Sequence, residues 1–145
     1  MTRNGIQLEK HCAVLVISGT QISKDMSKII CPSPCRTFAF PLTVKTVDDN
    51  LFCKRPELAG VRLNEGLKKL GKSCFSSTGI RTLVVPASVN DIQSNAFAQC
   101  IQLRYADLSA AKELEELCDE TFESCKNLKH VLLNDNMHTI RRSCF

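Results

Sequence analysis

From Phe52 to the C-terminus the apolar positions recur as one unit. Phenylalanines stand at Phe52, Phe75, Phe97, Phe122 and Phe145, an interval of 22 to 25 residues, and five positions before each lies an aliphatic: Val47, Leu70, Ile92, Leu117 and Ile140. Three more apolar positions follow each complete unit: Leu58, Val61 and Leu63; Ile80, Leu83 and Val85; Leu103, Ala106 and Leu108; Leu128, Val131 and Leu133. A further one closes it, at Leu67, Val89, Leu114 and Met137. Insertions fall only between these positions, where a surface loop absorbs a residue without moving the apolar face. The pattern reaches upstream to Phe38, because Phe38–Val47 has the spacing of Leu83–Ile92, proline included.

A period of this size is that of leucine-rich solenoids, in which each repeat supplies a short strand and a return segment. One unit cannot bury its own apolar face, and stacking its neighbours builds a continuous core. Leu83 and Val85 alternate around Val84 as in a strand with one buried face. The return segment, for example Ser94–Gln99, reads as a turn or a single helical turn with its Phe plugging the core. The expected class is therefore α/β: a leucine-rich repeat solenoid with a parallel sheet and few or short helices. The expected division is an N-terminal cap or degenerate repeats over 1–37 and a solenoid over 38–145.

The string Leu67–Phe75, followed by Ile80–Val89, resembles the BspA-type leucine-rich repeat family. The Phe97-x-x-Cys100-x-x-Leu103 and Phe122-x-x-Cys125-x-x-Leu128 strings carry the same signature. The resemblance implies a right-handed solenoid whose parallel sheet lines the concave side, in proteins often found at the cell surface or secreted, where they attach to host components. The chain departs from the pattern where Phe52 is followed directly by Cys53, where Ile80 arrives one residue early, and at Ala106, which predicts a thinner core. It also ends at Phe145 inside a unit. An open last repeat leaves an apolar face exposed, so the expectation is either a fragment of a longer protein or end-to-end association through that repeat.

Upstream, Ala13–Ile17 reads as a buried strand, and Ile22, Met26, Ile29 and Ile30 fall at helical spacing. The apolar run is too short for a secretory signal, with Glu9 in the segment that should be cationic. No run approaches the length of a membrane span.

Composition adds less. With 43% hydrophobic and 23% charged residues the chain has material for a core and no low-complexity tract. The net charge of +4 is uneven, since residues 1–72 hold 12 basic and 6 acidic side chains. Lys68, Lys69 and Lys72 form the densest patch, with Lys54 and Arg55 a second; both read as solvated faces. Without Trp, and with a single Tyr, there are no stacking platforms for nucleic acid, which is not expected as a partner. Of the nine cysteines, Cys74 and Cys144 precede a Phe, and Cys100 and Cys125 follow one by three residues. Such positions stack, so they read as free thiols in the core. The odd count and the lack of an Asn-x-Ser/Thr sequon favour a reducing, cytoplasmic compartment, against the cell surface that the resemblance implies. His11, Cys12, Cys31 and Cys35 make a weak zinc set, because two of the four are adjacent; no metal or cofactor is expected. No phosphate loop, His-Glu-x-x-His or Gly-x-Ser-x-Gly occurs, so the chain is not expected to be an enzyme.

The remaining expectation is a protein-binding face. With Leu83/Val85, Ala106/Leu108 and Val131/Leu133 inward, alternation sets Thr82, Tyr105 and His130 in one outward column and Arg62, Val84, Asp107 and Leu132 in the next. Tyr and Arg commonly anchor protein interfaces, and the partner itself is not specified by the sequence. Besides surface adhesion, an intracellular scaffold or a spacer in a longer solenoid would use the same geometry.

Overall fold

The structure, a computed structural model, describes residues 36–145 and the two-residue strand Gln21–Ile22. The strand expected at Ala13–Ile17, the Met26, Ile29 and Ile30 positions of the expected helical segment, and the His11/Cys12/Cys31/Cys35 set lie outside the described residues, whereas Ile22, expected at helical spacing, lies instead in a strand that pairs with Val47. In chain order the strands are β1 (Gln21–Ile22), β2 (Thr37–Ala39), β3 (Thr46–Val47), β4 (Gly60–Arg62), β5 (Lys69–Leu70), β6 (Thr82–Val84), β7 (Asp91–Ile92), β8 (Tyr105–Asp107), β9 (Glu116–Leu117), β10 (His130–Leu132) and β11 (Thr139–Ile140). All pairings are parallel. The three-residue strands stack as β2–β4 and β6–β8–β10, and the two-residue strands as β1–β3–β5–β7 and β9–β11. Each turn of this β-solenoid therefore contributes one strand to each of two sides. The expected α/β class is corrected here, because no helix occurs among the described residues.

The third side explains why. It carries the phenylalanines, and the residues two before and two after each Phe lie in the left-handed region: Asn50 and Lys54, Ser73 and Ser77, Asn95 and Gln99, Glu120 and Ser124, with φ between 53° and 61°. A right-handed helix cannot pass through a left-handed residue. Instead the alternation turns the amides of the Phe and of its two left-handed flanks toward the next layer. Asn95, Phe97 and Gln99 donate to the carbonyls of Asp119, Thr121 and Glu123 at 3.1, 3.0 and 2.7 Å. The layers are thus hydrogen-bonded on the turn side as well as through the strands, and the backbone demand of a buried segment is met.

Inside, the Phe side chains form one column. Phe52, Phe75, Phe97, Phe122 and Phe145 stack with ring centroids 5.3, 5.5, 5.6 and 5.7 Å apart and interplanar angles of 3°, 4°, 11° and 7°. The aliphatics five positions earlier are buried from Val47 to Leu117, whereas Ile140 and Phe145, in the last layer, are about half exposed. Ala106, where a thinner core was expected, is fully buried. Asn64 and Asn134 are also buried, and each bridges two layers. The Asn64 amide donates to the carbonyls of Pro41 and Val44 at 2.7 and 3.1 Å while its oxygen accepts from the Gly66 amide at 2.7 Å. Asn134 does the same with Ala111, Leu114 and Asn136.

The left-handed positions give a stability test. At Ser124 (φ 58°) a non-glycine side chain carries the steric cost of this region, about 1 kcal/mol, which glycine does not. Ser124→Gly is expected to raise stability by about that amount in a denaturant melt. The same change at Ser88, which is not left-handed, is expected to lower it, because its hydroxyl donates to the Leu67 carbonyl at 2.7 Å.

Candidate functional site

The parallel register assembles the outward face from single residues of successive strands. His130 pairs with Tyr105 and Tyr105 with Thr82; Leu132 pairs with Asp107 and Asp107 with Val84. These six residues come together as two straight columns, as alternation predicts. Arg62 extends the second column on β4, where it pairs with Ala39 of β2; its strand is not in one continuous ladder with β6. Thr82, Val84, His130, Leu132 and Arg62 are exposed, and Tyr105 and Asp107 are half-buried. Val84 at 60% and Leu132 at 46% exposure flank Asp107 with unpartnered aliphatic surface.

Asp107 is held in place. Its Oδ1 accepts from the Ser109 amide at 2.9 Å and the Ser109 hydroxyl at 2.6 Å, and its Oδ2 accepts from the Tyr105 hydroxyl at 3.3 Å. The Ser109 bonds favour the ionised carboxylate and hold Asp107 below its usual range. Desolvation first, then the Asp107 charge, pushes the Tyr105 hydroxyl up. The strip therefore presents a fixed anion between two exposed aliphatics, with the Tyr ring tethered to it.

Alternation misses one row. Arg81, Arg104 and Lys129 immediately precede β6, β8 and β10, and counting by two from Leu83, Ala106 and Val131 would point them inward. All three are exposed, because the pleat does not extend into the preceding turn and the buried positions there are Ile80 and Leu103. Backbone bonds align them: the Arg104 amide donates to the Arg81 carbonyl at 2.9 Å and the Lys129 amide to the Arg104 carbonyl at 3.0 Å.

The thiols are structural. Among the described residues the six cysteines are free; Cys74, Cys100 and Cys144 are buried, and Cys53, Cys118 and Cys125 partly so. Cys100 and Cys125 do more than fill space, since each Sγ donates to the Phe carbonyl of the layer before, Phe75 and Phe97, at 3.2 Å. Burial pushes the Cys74 and Cys144 thiols up, and the neighbouring Cys100 thiol, together with burial, does so for Cys125. In native protein at neutral pH, mass spectrometry after brief alkylation is expected to find label on Cys53 and Cys118 and none on Cys74, Cys100 or Cys144. Rapid labelling of Cys74 would contradict its burial. A raised folded-state value also means that the Cys74 contribution to stability is complete below the ordinary thiol value of 9.0 and declines as pH rises above it.

Among the described residues no group of three His, Cys, Asp or Glu side chains could hold a metal ion, and no helix is long and apolar enough to cross a membrane. The expected basic patch is partly neutralised: Lys69 pairs with Asp91 at 3.0 Å and Lys68 with Glu113 at 3.9 Å.

Comparison with known proteins agrees with this architecture. A family model described as the BspA type leucine rich repeat region matches residues 27–145 in six copies. No curated protein matches the chain. Among solved structures, a leucine-rich repeat protein of T. pallidum superposes with a TM-score of 0.66 at 26% identity, over 73% of this chain and 49% of that one. A leucine-rich cell surface protein of Faecalibacterium prausnitzii gives 0.64 at 19%, over 68% and 26%. A leucine-rich repeat protein of Bacteroides ovatus gives 0.57 at 23%, over 77% and 34%. The chain thus spans between a quarter and a half of these relatives' lengths. With the repeat, the stacked Phe column and the family match in agreement, the chain belongs to the BspA-type leucine-rich repeat family.

Proposed function

We propose that the chain is a non-enzymatic protein-binding module whose interface is the outward face of β4, β6, β8 and β10, the concave side of the solenoid. The observation that carries this is the exposed pair Val84 and Leu132 on either side of the tethered Asp107, beside Tyr105 and Arg62. It is a mixed apolar and polar strip of the kind that anchors interfaces. Leucine-rich solenoids bind through such extended concave surfaces.

Attachment at a cell surface is the reading that the F. prausnitzii relative's description favours; the free thiols favour an intracellular scaffold. Residues 1–37 fit either reading as an N-terminal cap or degenerate repeats of the 38–145 solenoid, a reading supported by the parallel pairing of β1 with β3. The test is to replace Arg62, Tyr105 and Leu132 together by Ala and compare thermal melts and partner capture, from host-cell surface extract and from cytosol, with the parent chain. Selective loss of capture with an unchanged melt is expected. Unchanged capture would remove this strip as the interface.

A further inference from the structure

The two strand-bearing sides differ in how they treat charge. On the side of β3, β5, β7, β9 and β11, each strand with the residue before and the residue after it contributes in total four Lys or Arg and four Asp or Glu. These interlock across layers: Lys69 with Asp91, His138 with Glu115 and Arg141 with Glu116. The corresponding residues 36–39, 59–62, 81–84, 104–107 and 129–132 on the other side hold five cations, Arg36, Arg62, Arg81, Arg104 and Lys129, against one carboxylate, Asp107. Asp107 already accepts from Ser109 and Tyr105. None of the five cations makes an ion pair with a described residue: apart from Arg55 with Glu57 in a turn, every pair lies on the opposite side or the turns flanking it.

Arg81, Arg104 and Lys129 stand in consecutive layers, aligned by their backbone bonds, about 4.8 Å apart. Like charges directly opposite on neighbouring strands repel, and the fold places no acid between them. An external anion would remove that repulsion. The structure assigns this row as a binding site for a linear sulfated polysaccharide lying along the solenoid axis, across the strands.

Three features select that ligand among polyanions. The row is straight and periodic, which suits a polymer with regularly repeated charges, and the planar guanidinium forks of Arg81 and Arg104 match the paired oxygens of a sulfate. Thr82, Tyr105 and His130, each the next residue along its strand, provide hydroxyl and imidazole partners for sugar hydroxyls. An extended acidic peptide would need a free strand edge for its own amides, whereas the row lies on a sheet face. Nucleic acid would need stacking platforms, and the face has the single ring of Tyr105. The site shares Thr82, Tyr105 and His130 with the protein-binding face but takes its charge from Arg81, Arg104 and Lys129, which the Arg62/Tyr105/Leu132 replacement leaves intact, so the two variants test the two readings separately.

The test uses the full chain and a heparin oligosaccharide, with fully desulfated heparin, polyglutamate and single-stranded DNA as competitors. Two variants lose the same net charge: Arg81→Gln/Arg104→Gln/Lys129→Gln on the face, and Lys45→Gln/Lys68→Gln/Lys72→Gln elsewhere. Three exposed charge contacts are together worth roughly a tenfold change in affinity, so the face triple is expected to bind sulfated heparin about tenfold more weakly, with a shallower salt dependence. The other triple is expected to bind like the parent, and desulfation to abolish binding. Arg104→Gln alone, expected to weaken binding in the same direction, serves if the face triple melts early. The assignment is overturned by no binding of the parent chain at low salt, by equal loss in both triples, by retained binding to desulfated heparin, or by stronger binding to polyglutamate or DNA.

Discussion

Phe97→Ala is expected to cost about 3 to 5 kcal/mol of unfolding free energy, the range for a buried Phe truncated to Ala. The ring is fully buried and stacked on both faces, 5.5 Å from Phe75 and 5.6 Å from Phe122, so truncation also removes two ring pairs, each worth about 0.5 to 1.5 kcal/mol beyond area. The cavity cannot close readily, because amides on both sides of Phe97 are bonded to the next layer. Phe145 provides the comparison. It is half exposed and stacks on one side only, so Phe145→Ala should cost less than about 1 kcal/mol. Urea melts of both variants decide, and a loss at Phe97 no larger than that at Phe145 would contradict the stacked register.

Asn64→Ala is expected to cost about 2 to 5 kcal/mol through a different mechanism. The change removes little volume but leaves the Val44 carbonyl and the Gly66 amide without the partner that the Asn side chain supplies, and each orphaned buried group costs about 1 to 3 kcal/mol. Asn64→Asp keeps the acceptor for Gly66, loses the donor and buries a charge, so it should also destabilise, and more at neutral than at acidic pH. A cost below about 1 kcal/mol for Asn64→Ala would mean that water replaces the amide. Hydrogen exchange at Gly66 would then be faster than in the parent chain, because water reaches its amide.

The layers were legible in the sequence because a stacked core is one-dimensional. Val47, Leu70, Ile92 and Leu117 precede their Phe by a constant five residues, and every one is buried beneath the next. The outward columns were legible for the same reason, since strand alternation needs no information beyond the inward residues. What failed was local. The left-handed flanks of the Phe include Asn50 and Asn95, a residue type that tolerates this region, but the others are Lys54, Ser73, Ser77, Gln99, Glu120 and Ser124 rather than glycine, so the residue types mark the helix-excluding turn only in part. The Arg81, Arg104 and Lys129 row escaped because alternation stops at the strand boundary. Charge counting along the chain hid it as well: these three cations sit in the more acidic half of the sequence, and folding leaves only Asp107 of that half's carboxylates on this face.

The hydrogen bonds that run from each layer to its neighbour make the Phe75-to-Phe97 interval an excisable cassette. Removing residues 76–97 deletes one whole copy and abuts Phe75 directly to the segment that followed Phe97. The backbone groups exposed by the cut face groups of the same kind, and the aromatic column closes up by one ring. Length can therefore change in whole units without redesigning any interface, whereas a cut of five residues in the same place shifts Ile92 out of phase with Leu70 and leaves no layer to receive it. Recombination between copies is thus a cheap way for such a gene to vary the span of its binding face, and fractions of a copy are filtered out by folding alone.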